Sequence, residues 1–137
     1  MRISEQNVER ARQGLDAINR RDRAAWLALC DPELENIPPR DWPESNPIQG
    51  ADAVFEFLAV EAQDAWEGDS LYEYVELIDA GNDMIVAHMR REVRGKGSGA
   101  TVAFSYWQVV TSRDGKSLRI EWFADRAEAL EAAGLAG

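Results

Sequence analysis

The chain has 137 residues and a formal net charge of −10. That length sets the expectation of one domain, residues 1–137, able to bury about two-thirds of its unfolded surface with no metal or disulfide staple. Acidity on this scale repels phosphate backbones and anionic lipid surfaces, which argues against nucleic acid or a membrane as partner, and its ordinary use is solubility.

The opening Met1-Arg2-Ile3-Ser4-Glu5-Gln6 has no apolar signal core, and no apolar run approaches membrane-spanning length, so the expected location is cytoplasmic. Ser4 is placed to cap a first helix, with Val8, Ala11, Leu15 and Ile18 recurring at spacings of three and four as its apolar stripe. A short second helix starts at Asp22, turns Trp26, Leu29 and Cys30 inward, and ends at Asp31-Pro32. Cys30 is the single cysteine, which rules out an internal disulfide and a cysteine-rich zinc site. On an apolar helix face it reads as a buried, inert thiol. Glu33 to Ile37 reads as a short strand, and Pro38, Pro39, Pro43 and Pro47 mark a structured loop after it.

A third helix is expected from Ala51 to Trp66, burying Val54, Phe55, Leu58, Ala62 and Trp66 and stopping at Gly68. From there the period becomes that of strands: Leu71 to Asp79, Met84 to Arg94, Ala100 to Ser112 and Ser117 to Asp125. Gly95-Lys96-Gly97-Ser98-Gly99 joins two of these strands, whereas a phosphate cradle joins a strand to a helix, so it reads as a hairpin connection. Asp114-Gly115 is a two-residue hairpin turn, and Ala127 to Ala133 is a helical turn closed by Gly134.

With Asp114 and Gly115 as turn residues, simple alternation sets Trp107 opposite Trp122 and Val109 opposite Ile120. The apolar face of Ala103, Ser105, Trp107, Val109, Leu118, Ile120, Trp122 and Ala124 is then expected to meet the helices. The other face carries Phe104, Tyr106, Gln108, Arg119, Glu121, Phe123 and Asp125, which suits a wet homodimer interface, the alternative being an exposed sheet. On the preceding strand His88 falls near Tyr106 and Arg90 near Phe104, with Ile85, Ala87, Met89 and Val93 inward. His88 is the single histidine, so no histidine-paired metal site can be built and none is expected, nor is a cofactor. The space left between sheet and helices is expected to be an apolar pocket for a small apolar molecule, bounded by Trp26, Trp42, Phe55, Leu58, Trp66, Met89, Trp107 and Trp122.

The element order, the Gly81 turn, Gly97-Ser98-Gly99, Asp114-Gly115-Lys116 and Asp125-Arg126-Ala127-Glu128-Ala129-Leu130 resemble SnoaL-like domains of the nuclear transport factor 2-like superfamily. The resemblance implies an α+β cone-shaped roll, N-terminal helices packed on a curved antiparallel sheet that encloses a pocket. It leaves activity open, because the superfamily holds polyketide cyclases, ketosteroid isomerases, epoxide hydrolases and binding modules. A ketosteroid isomerase site would need its three polar groups where this chain has Gly14, Asn36 and Trp107, which excludes that chemistry. An epoxide-hydrolase-like site is represented by Asn36, by Arg90 with Glu92, and by Asp125 as the water-activating carboxylate, one Arg holding two acids of different pKa. Leu34 stands where that template has a tyrosine, and Glu92 where it has an aspartate. The competing reading makes Arg90 and Glu92 a surface ion pair and Asp125 the cap of the tail helix.

Overall fold

The computed structural model describes residues 3–42, 46–68 and 70–135. Helix α1 (Ile3–Asn19) already includes Ser4, whose side chain lies outside the described residues, as does Pro43. Its buried face holds Asn7, Arg10, Ala11, Gly14, Ala17 and Ile18, leaving Val8 and Leu15 half-buried. Asp22 caps α2 (Arg23–Leu29) by accepting from the Ala25 N–H at 3.1 Å.

The chain then enters strand β1 (Cys30–Ile37) directly. Pro32 costs no ladder bond there, because β1 leaves its neighbour between Cys30 and Glu35. After the proline loop come β2 (Ile48–Gln49), α3 (Ala51–Phe55), a π-helical segment (Glu56–Glu61) and α4 (Ala62–Asp64), in unbroken succession from α3 on. Gly50 precedes α3 with φ +96°, a conformation that glycine adopts without strain.

Four long strands complete the sheet: β3 (Tyr72–Gly81), β4 (Met84–Arg94), β5 (Thr101–Arg113) and β6 (Lys116–Phe123). The glycine-rich loop does join two strands, with Gly95 N–H bonded to the Ala100 carbonyl. Asp114 and Gly115 both have positive φ, as a tight hairpin turn requires. The six-stranded sheet has the order β2-β1-β6-β5-β4-β3. It is mixed rather than wholly antiparallel, since β1 runs parallel to β6. With the N-terminal helices on its concave side, this is the α+β cone.

The face assignment of β5 differs from simple alternation. Arg113 pairs with Lys116 as expected, but Thr111 pairs with Arg119 and Ser112 with Ser117, leaving Leu118 as an extra residue. This bulge shifts the register by one, which inverts one strand relative to the other. Gln108, not Trp107, lies opposite Trp122, and Trp107 lies opposite Phe123. Phe104, Tyr106, Gln108 and Val110 therefore face the helices together with Ile120 and Trp122, while Trp107 and Val109 face away with Arg119, Glu121 and Phe123. The surface expected to carry a dimer contact is not one face: its two β5 aromatics point inward. On β4, Ile85, Ala87, Met89 and Val93 point inward as the alternation predicts. His88 and Arg90 point outward, but opposite Trp107 and Ser105 rather than Tyr106 and Phe104.

Two buried clusters result. The larger joins Ala17, Trp26, Leu34, Val54, Phe55, Leu58, Tyr72, Met89, Val110, Ile120 and Trp122 between helices and sheet. The smaller joins Val86, Trp107, Val109, Ala129, Leu130 and Ala133 under α5 (Arg126–Ala132) on the convex side. Burial of Leu130 there contributes about 2 kcal/mol, so Trp107 anchors the tail helix instead of walling a pocket.

Candidate functional site

A cavity of about 340 Å³ opens between the concave sheet and the π-helical segment, within the size range of small-molecule sites. Its sheet side is built strand by strand from Asn36, Trp122, Phe104 with Tyr106, Met89 with Arg91, and Tyr72. The helical side contributes Phe57, Leu58, Glu61, Ala62, Ala65 and Trp66, and the proline loop adds Pro38 and Trp42. A π segment widens the turn and re-aims its side chains, and such segments recur at functional sites. The aromatic rings touch in series: Trp66 meets Phe104 at 5.6 Å between centroids, Phe104 meets Tyr106 at 6.1 Å, and Tyr106 meets Trp42 at 5.3 Å and Trp122 at 6.1 Å. A narrower space of about 40 Å³ lies deeper, past Leu58, Tyr72, Met89 and Trp122, and reaches Arg10, Trp26, Cys30, Tyr74 and Gln108.

Four hydrogen-bonded polar groups sit in these walls. Asn36 is 1% exposed, and its Oδ1 accepts from the Trp122 indole N–H at 2.6 Å. Arg91 is 8% exposed. Its Nε donates to Ser70 Oγ at 2.9 Å, one terminal nitrogen donates to Tyr72 Oη at 3.3 Å, and the other donates to the Ala62 carbonyl at 2.7 Å. Burial lowers the pKa of Arg91, with the nearby Tyr72 oxygen partly opposing. Burial likewise raises that of Tyr72, whose hydroxyl donates to the Leu58 carbonyl. In the deeper space Arg10 donates to Asn7 Oδ1 and Ser112 Oγ, and its pKa is lowered by burial against the pull of Asp83. Tyr74 donates to Gln108 Oε1 at 3.2 Å, its own pKa raised by burial.

Of the residues expected around a pocket, Trp42, Leu58, Trp66, Met89 and Trp122 line the cavity, and Trp26 lines the deeper space. Phe55 lies in the packed core with the Arg23 guanidinium 4.7 Å from its ring centre. Trp107 is on the opposite side of the sheet, stacked on His88 at 4.4 Å. Of the acid–base group, Asn36 alone lines the cavity. Arg90 and Glu92 form an exposed ion pair at 3.3 Å on the convex face. Asp125 is exposed and caps α5 by accepting from the Glu128 N–H at 2.9 Å. These three do not converge on the cavity. Alternation along β4 already turns Arg90 and Glu92 outward, and Asp125 lies past the end of β6 at the start of α5.

Sequence reasoning missed Arg91, Arg10, Tyr72, Phe104 and Tyr106. The signal for Arg91 was present: it occupies the gap in the inward series Ile85, Ala87, Met89, Val93, where a charged residue is ordinarily read as solvent-exposed.

The SnoaL-like domain family model matches residues 11–120. The chain belongs to this family. Among curated proteins, none matches this SnoaL-like domain significantly. Solved structures share the fold. TerC, co-crystallized with polyporic acid, is 25% identical with a TM-score of 0.72, the alignment covering 94% of this chain and 98% of that one. A protein from Jannaschia sp. CCS1 assigned as a SnoaL-like polyketide cyclase is 21% identical, with a TM-score of 0.74 over 97% and 94% of the two chains. RV0760c from Mycobacterium tuberculosis, in complex with estradiol-17beta-hemisuccinate, is 17% identical, with a TM-score of 0.69 over 85% and 92%. Among the described residues, no helix is long and apolar enough to cross a membrane.

Proposed function

We propose that this SnoaL-like domain binds a small, largely apolar, flat molecule in the cavity between its sheet and its π-helical segment. The observation that carries the reading is the aromatic series Trp66, Phe104, Tyr106, Trp42 and Trp122 along a cavity of about 340 Å³. Flat faces of this kind favour ring-shaped ligands through offset and edge-on contacts. Structural relatives bound to polyporic acid and to a steroid ester support the same use of the fold.

Binding is favoured over acid–base hydrolysis because of what borders the cavity. Glu61 is the one carboxylate among the described lining residues, and it is exposed at the rim. A water-activating site needs an acid and a base shielded within reach of one substrate. The exposed positions of Asp125, Arg90 and Glu92, away from the cavity, support the binding reading.

Titration with N-phenyl-1-naphthylamine, a neutral apolar fluorophore, tests the reading. Saturable one-to-one binding that Trp122→Phe or Trp66→Phe weakens is expected. Linear, non-saturating fluorescence up to the solubility limit of the probe would refute it.

A further inference from the structure

Arg91 is a buried cation without a counter-charge. All three of its acceptors, Ser70 Oγ, Tyr72 Oη and the Ala62 carbonyl, are neutral. No ion pair connects it to a carboxylate among the described residues, Glu61 at the rim included. A guanidinium has five N–H donors, so two remain unused where the side chain borders the cavity. Burying a charge is costly unless it is paired as well as hydrogen-bonded.

Asn36 adds a second donor. The indole N–H of Trp122 can only donate, which fixes Asn36 Oδ1 towards Trp122 and turns its Nδ2 the other way. That nitrogen has no acceptor among the described residues. It is not sealed in protein either, since no side-chain nitrogen or oxygen among those residues is both fully buried and unpartnered. The interior thus offers N–H groups at two ends of an aromatic wall, on β4 and on β1. In the sheet order those strands are three spacings apart, about 14 Å between backbones.

Building on the cavity reading above, we infer that the ligand is an aromatic or polycyclic oxyanion, a carboxylate, enolate or phenolate. Its charged oxygen pairs with Arg91, and a second acceptor oxygen reaches towards Asn36. The bound anion supplies the counter-charge that the fold withholds, through charge-assisted hydrogen bonds in a low-dielectric wall. The rest of the molecule works against unspecific anion binding, because the chain carries a net charge of −10. Affinity for an anion must therefore come from a local site.

Calorimetry with 2-naphthoate and its neutral methyl ester tests this on the intact protein. The wild type is expected to bind naphthoate at least tenfold more tightly than the ester. Arg91→Met should weaken naphthoate roughly tenfold or more while leaving the ester within threefold, and Arg91→Lys should fall between. Arg91 also ties three segments together. Should Arg91→Met fail to fold, the wild-type ratio and its decline with added salt decide. Ester binding equal to or tighter than naphthoate binding overturns the inference and leaves the apolar cavity standing. Binding of neither probe, nor of N-phenyl-1-naphthylamine, overturns both.

Discussion

The Asn36–Trp122 hydrogen bond can be weighed by a double-mutant cycle. Asn36→Leu keeps the side-chain size but strands the Trp122 N–H, whose residue is 6% exposed. The expected cost is about 1–3 kcal/mol, the penalty of a buried donor without an acceptor. Trp122→Phe strands Asn36 Oδ1 at a similar cost and also removes apolar area worth about 1 kcal/mol. Simple addition gives a loss of about 3–7 kcal/mol. The double variant carries neither orphan, so its loss should fall short of that sum by both penalties, about 2–6 kcal/mol. Urea melts of the four proteins measure this directly. In thermal melts a loss of 1 kcal/mol corresponds to about 3–4 °C for a chain of this length. Additivity within about 0.5 kcal/mol would refute the argument. It would mean that the 2.6 Å contact carries no net energy and does not fix the orientation of Asn36.

Asp125→Ala should lower stability by about 1 kcal/mol through loss of the α5 cap, Asp125→Asn should cost little, and neither should change probe binding; loss of binding in Asp125→Asn would return this carboxylate to the site. Tyr106→Glu should abolish binding of the naphthylamine probe and leave the mass in light scattering unchanged, because the ring lies in the cavity; intact binding with an altered mass would place it on the convex face. The Cys30 thiol is pushed up to about 12, from an ordinary 9.0, by burial. Its contribution to stability is full below the unfolded value and is lost as pH rises from about 9 towards about 12. Cys30→Ala should therefore show a shallower alkaline decline in urea midpoints than the wild type, and an equal slope would show that the thiol is not protected.

Local rules were enough for the order of the long elements, though not for β2, for the π-helical break in the third helix, or for Cys30, which opens β1 instead of closing the second helix. Period, capping residues and turn chemistry are encoded within a few positions of one another, so the helix after Asp22, the Asp114-Gly115 turn and the Asp125 cap could all be read along the chain. The family resemblance rested on the same short-range signals. The alternation on β4 was also legible, and it placed Arg91 inward for anyone willing to bury a charge.

Pairing between strands was not local. Whether Trp107 or Tyr106 faces the helices depends on one extra residue at Leu118, and a shift of one exchanges every inward side chain for an outward one. Nothing in the composition of that strand marks the bulge, since both of its faces carry aromatics. The parallel seating of β1 on β6 and the convergence of the π-helical segment with Trp42 were likewise settled by packing across the whole fold. The sequence alone determined a small acidic SnoaL-like cone. Tertiary structure decided which of its aromatic and charged residues share one cavity, because that depends on register and curvature, properties that belong to pairs of strands rather than to any one of them.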